Sequence, residues 1–192
     1  MGVFDMFHTN HETRSSESIR ETSPFIKEFD MARECTSLAN QFYVDGKASL
    51  YEEVGIADRL NLASSFYDGV RQAMGIDATL SFIPMRDGEE GGYKPLTNTI
   101  ELNMNLLERP DCSGVLNTIL HEARHAFQMK AIEYPNSVSV DADTISTWRD
   151  NFENYISPEL DYEEYKKQPV EADAFAYADN MVQDTSYSNM VA

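Results

Sequence analysis

The stretch TILHEARHAFQ, residues 118–128, decides how the rest of the chain is read. His121 and His125 stand four residues apart, with Glu122 directly after the first. On an α-helix such residues lie one above the other on one face, so the two imidazoles can offer nitrogens to a single ion. Leu116, Leu120, Ala123, Phe127 and Ala131 form an adjacent apolar stripe that suits packing against a core. Gln128 and Ile132 continue the histidine face, and Arg124 points away from it. The plain alternative is a helix with two exposed histidines and a surface glutamate. Against it, the pair takes half of the chain's four histidines and follows a strand with a polar face. The pattern is the H-E-x-x-H arrangement: two ligands, with a glutamate offset so that it reaches a water on the ion and serves as general base.

Working outward, Pro110-Asp111 opens the histidine helix, expected to run to about residue 132, with Asp111 or Ser113 as its cap. Before it, residues 99–106 alternate: Ile100, Leu102, Met104 and Leu106 on one side, Glu101, Asn103 and Asn105 on the other. That is a half-buried strand whose polar side is wet, at an edge or in a cleft. Residues 78–85 read as another strand, and RDGEEGGYKPLTN (86–98) between them as a loop. Earlier still, Ser23-Pro24 marks a helix start for an apolar stripe reaching Tyr43, and a second helical region spans 48–74, with Gly55 as an interruption and Gly75 as its stop. Residues 1–22 are polar after Phe7 and read as a flexible arm. The arm holds His8 and His11, which read as tail residues or as ligands able to block an open site. Downstream, a helix follows Asp141 and carries Trp148, a tyrosine-rich connection covers 155–168, a last helix runs from Pro169 to 182, and 184–192 read as a frayed tail. Helices, then two strands, then helices make an α+β domain over 23–183 with a small sheet.

Two histidines do not complete a catalytic zinc site, which takes three protein ligands and leaves a position for water. The final helix offers Glu171, Asp173 and Asp179. Glu171 shares its stripe with Ala174, Phe175, Ala178 and Val182, and a carboxylate alone on an apolar stripe demands a partner. Asp173 lies about 200° away around the helix, on the more polar stripe of Ala176, Tyr177 and Asn180, so both cannot face one ion. Glu171 is therefore the expected third ligand of a zinc ion, with Asp173 its rival or a support for an imidazole N–H.

HEARH followed by a glutamate on a later helix resembles the zincin metallopeptidases and, within them, the gluzincins. The likeness covers residues 99–177. It implies that 99–106 lines a substrate cleft as an edge strand, that zinc sits on His121, His125 and Glu171, and that Glu122 is the base in hydrolysis of a peptide bond. Where many gluzincins carry an acidic residue four positions after the glutamate ligand, this chain has Phe175. A tyrosine often steadies the oxyanion in such sites; Tyr134, Tyr155, Tyr162, Tyr165 and Tyr177 are the candidates.

Composition narrows the partners. A net charge of −18 on 192 residues repels phosphates, which argues against nucleic acid and anionic membranes. The two cysteines, Cys35 and Cys112, form no CxxC and read as buried thiols. With no basic region before an apolar run at the N-terminus and no bilayer-length apolar stretch, the chain reads as cytoplasmic. The leading reading is a zinc metallopeptidase acting on protein or peptide; its rivals are a zincin-like interaction module without turnover and a chance motif in a helical regulatory protein.

Overall fold

A parallel bridge between Ile26 and Val138 stands where the sequence suggested a helix already under way. The structure, a computed structural model, describes residues 25–188, and only the backbone over 183–188. The arm at 1–22 with His8 and His11, the Ser23-Pro24 pair and residues 189–192 lie outside the described residues. In the bridge the Ile26 N–H donates to the Ser137 carbonyl (2.8 Å) and the Ile26 carbonyl accepts from Ser139 N (2.9 Å). These backbone groups are committed to a distant segment, so helix α1 starts late, at Glu28–Val44. Its first N–H is met by Ser139 Oγ at 2.8 Å rather than by a neighbouring cap. The expected helix over 48–74 is two, α2 (Lys47–Glu53) and α3 (Ile56–Met74), separated at Gly55. Gly75 ends α3 in the left-handed conformation, φ 60°.

Three strands follow: β1 (Thr79–Ile83), β2 (Gly91–Lys94) and β3 (Thr99–Asn103). β3 is the middle strand, parallel to β1 and antiparallel to β2. The expected edge strand over 99–106 is thus a central one, and it stops at Asn103. The Asn103 side chain accepts from Asn105 N (3.1 Å) and donates to the Glu89 carbonyl (2.7 Å), turning the chain into a 3-10 turn at Met104–Glu108. Ile100 and Leu102 are buried as the alternation implied, whereas Met104 is exposed. The edge beside the histidine helix is instead β2, built from residues that read as loop. Gly91 is required there: a Cβ would stand 2.8 Å from both Leu102 Cδ2 and Thr118 Cγ2. The missing side chain lets the sheet lie directly on the helix.

That helix is α4 (Ser113–Glu133). Asp111 Oδ1 accepts from Ser113 N at 3.1 Å at its start. α5 (Ala142–Glu153) is capped by Asp141, whose Oδ1 accepts from Thr144 N at 2.9 Å. A short α6 (Tyr162–Lys167), capped by Asp161, was not foreseen in the tyrosine-rich connection. α7 (Pro169–Ser188) runs past 182, so the backbone of 184–188 is helical rather than frayed. The described chain is α+β, with seven α-helices and one three-stranded sheet.

α4 packs against α3, α5, α7, β2 and β3. All of 118–128 is buried. Ile119, Leu120 and Phe127 are fully enclosed, each contributing about 1.5–3 kcal/mol over an exposed position. The same burial takes in Thr118, His121, Glu122, Arg124, His125 and Gln128, whose polar groups lose water and must find partners in the protein. Among the described residues, no helix is long and apolar enough to cross a membrane. Cys35 and Cys112 are buried free thiols.

Candidate metal centre

His121 and His125 meet through their Nε2 atoms, 3.1 Å apart. Glu171 reaches across from α7 and closes the group: Oε2 lies 3.2 Å from His121 Nε2 and Oε1 lies 3.4 Å from His125 Nε2. Donor atoms of the three residues all fall within 4.8 Å of one another. Each residue is buried, Glu171 to 1% exposure. Local sequence explains the placement. The four-residue spacing stacks the imidazoles on one face of α4. On α7 the small Ala174 and Ala178, both fully buried, share the Glu171 stripe and let the two helices approach closely.

A cation fits this group. Zinc bonds of about 2.0–2.1 Å in tetrahedral array put neighbouring ligand atoms about 3.3 Å apart, against the observed 3.1, 3.2 and 3.4 Å. Without an ion, the two ring nitrogens share one hydrogen between them, and Glu171 Oε2 accepts no hydrogen bond from the described residues. The donor set, two imidazoles and a carboxylate, suits zinc.

The electrostatics point the same way. Burial opposes ionisation of Glu171, but the two imidazoles and the Tyr155 hydroxyl hold its carboxyl well below the usual range. Burial also works against a charged His125, yet the Glu171 carboxylate, the Glu122 charge and Gln128 raise it to about 9. The site therefore attracts positive charge, which a proton on His125 supplies.

Glu122 is buried beside the group, and its charge bears on His125, Tyr155 and Tyr165. Tyr155, just beyond α5, donates to Glu171 Oε1 at 2.6 Å. Its hydroxyl is pushed far above the ordinary tyrosine value, first by burial and then by the Glu171 charge. Of the other tyrosines, Tyr165 packs edge-on against Tyr155 (6.2 Å) and Phe175 (6.3 Å), and Tyr134 and Tyr162 are exposed. Tyr177 lies behind α4, its ring 4.9 Å from the Arg124 guanidinium. Phe175, at the position where an acid would stand in many gluzincins, packs on the His121 ring at 4.5 Å. Among the described residues, His121 Nδ1 accordingly has no hydrogen-bond partner.

Asp173 is not part of the group. It accepts from Arg124 Nε (2.8 Å) and Nη2 (3.0 Å), and from Gln128 Nε2 (2.7 Å). Asp179 accepts from Asn117 at 3.1 Å and does not converge with the two histidines. Arg124 does point away from the histidines, but into the protein: it is buried, bonded also to Glu28 at 2.5 Å, and stacked near Phe127, Trp148 and Tyr177. Sequence reasoning gave no role to Arg124 and none to Gln128 beyond its place on the histidine face. The available signal was six polar residues in the eleven of 118–128, on a helix with apolar residues on every side.

Searches against protein-family models, curated proteins and solved structures find no match for this chain.

Proposed function

We propose that the protein is a zinc-dependent metallopeptidase with a zincin-like arrangement of gluzincin type. The observation that carries the reading is the convergence of His121, His125 and Glu171 from two separate helices at the edge lengths of a zinc ligand face, with Glu122 beside them. Zinc bound there would polarise a scissile carbonyl and make water a nucleophile near neutral pH. Glu122 takes the proton from the attacking water and returns it to the leaving amine. Tyr155 holds Glu171 in place through its hydroxyl. β2, not 99–106, is the strand beside α4 with a side left unpaired in the sheet. An extended peptide laid along that edge would gain main-chain hydrogen bonds near the group. A cytoplasmic protein or peptide is the expected substrate, with neutral or basic segments tolerated best by a chain of charge −18.

Glu122→Gln tests this. It keeps size and removes the base, so peptide hydrolysis should fall by about 10²–10⁴-fold while zinc stays bound. Turnover equal to that of the parent would sink the mechanism. The burial of all three ligands favours a second reading, a metal-holding module without turnover. Under that reading the parent binds zinc and cleaves nothing from a broad peptide library.

A further inference from the structure

Gln128 is fully buried on α4, one turn after His125. Its amide nitrogen faces two groups that can only accept: the Val170 carbonyl at 3.0 Å and Asp173 Oδ2 at 2.7 Å. An amide has donors on one end and an acceptor on the other, so the partners fix which end is which. The NH2 must point at α7, and Oε1 must point at His125 Nδ1, 2.9 Å away. An acceptor at that nitrogen requires Nδ1 to carry the hydrogen. In the neutral ring Nε2 is then left with its lone pair, aimed at His121 Nε2 and Glu171. Asp173 is itself clamped by two bonds from Arg124, so the orientation is set from a rigid base rather than by a mobile carboxylate.

We propose that Gln128 is a positioning residue that locks His125 in the Nδ1–H tautomer and so presents its Nε2 to the metal. Asp173 and the Val170 carbonyl fix the amide that does it. The proposal rests on the metal reading and adds a means of building the site. It also makes the two histidines unequal. His121 Nδ1 has no partner, and the His121 ring is placed by its contact with Phe175. The pairing of a metal-binding imidazole with an outer hydrogen-bond acceptor is general; here a neutral amide serves His125, and among the described residues nothing equivalent serves His121.

The test pairs two measurements on the full chain, in the parent and in Gln128→Met, which keeps length and removes both ends of the amide. Nitrogen-15 NMR of the metal-free protein at about pH 10, where free imidazole is neutral, reads the tautomers. Competition against a chelator reads zinc affinity. The parent should show His125 as Nδ1–H and His121 as Nε2–H, because the His121 Nε2 faces the His125 lone pair and its Nδ1 has no partner among the described residues. Gln128→Met should spread His125 over both tautomers, leave His121 as it was, and bind zinc about 10–100-fold more weakly. A parent His125 with its hydrogen on Nε2 overturns the proposal. So does an unchanged His125 tautomer in the variant, or zinc affinity within about twofold of the parent, well short of the loss expected for such a partner. Should Gln128→Met fail to fold, the parent spectrum alone decides. A parent that binds no zinc removes the metal reading while the tautomers still judge Gln128; a zinc-binding parent with an indifferent variant removes the role of Gln128 and leaves the metal reading standing.

Discussion

Helix α4 buries charge on two sides and solves the cost in two ways. On one side Arg124 meets Asp173 and Glu28, and the aromatic rings of Phe127, Trp148 and Tyr177 surround the rest of its guanidinium. Opposite charges are present there and both carboxylates keep some contact with water (28% and 39% exposed), although Arg124 Nη1 finds no hydrogen-bond partner among the described residues. On the other side stand Glu122, Glu171 and two imidazoles, with no arginine or lysine among them and only a proton on His125 to supply positive charge. Two carboxylates of one sign in a dry site, with Glu171 Oε2 and His121 Nδ1 unpartnered among the described residues, leave negative charge that a proton on His125 offsets only in part. The difference between the sides is one of charge balance: on the first, opposite charges meet and join α1, α4 and α7; on the second, the excess negative charge supports the proposal of a bound ion.

The comparison breaks most sharply by removing a ligand. His121→Ala, His125→Ala or Glu171→Ala should each weaken zinc binding by about three orders of magnitude, because one of three protein bonds is lost. Competition against a chelator measures this; zinc held undiminished by any of the three would mean the group is not the metal's. Next in size is Arg124→Met. It leaves Asp173 and Glu28 without their cation and should cost about 3 kcal/mol of stability in urea unfolding. The fold, more than zinc affinity, carries the loss. A neutral outcome would show that the Arg124 cluster is not the structural half of the pair.

pH sharpens the contrast with a smaller effect. The folded-state value of His125, about 9, lies above that of an unfolded histidine, about 6.5. The proton therefore stabilises the metal-free fold fully below about pH 6.5, and that contribution is lost as pH rises through about 9. Denaturation midpoints of the metal-free protein should decline across this window. Zinc must displace the proton, so its affinity should climb over the same range by up to about tenfold per pH unit. A flat profile in both measurements would deny the coupling of His125 to Glu171.

The histidine spacing and the phase of Glu171 were legible because helical geometry alone relates them: residues four apart share a face, and a lone carboxylate on the Ala174–Ala178 stripe has few places to go. The same helical phase sets Asp173, on the more polar stripe, apart from Glu171. That phase could not reveal Arg124, since an arginine on a helix is ordinarily a surface residue until a partner on another helix is known. Strand β2 was hidden because Gly91-Gly92 has no β-forming side chain; its glycine answers to Thr118 and Leu102, which are distant in sequence. The early stop of β3 and the late start of α1 have the same cause. Asn103 and Ile26 bond to segments that local pattern does not relate to them. Tyr155 stood among five candidate tyrosines, and only the fold brings its hydroxyl to Glu171.

The central question is whether the His121, His125 and Glu171 group is a metal centre. Native mass spectrometry of the purified chain, exchanged into metal-free buffer and supplied with one equivalent of zinc, asks this directly. The structure predicts one tightly held zinc in the parent and in Glu122→Gln, and none in His121→Ala. A parent that takes up no zinc, or a His121→Ala variant that holds it as the parent does, would contradict it.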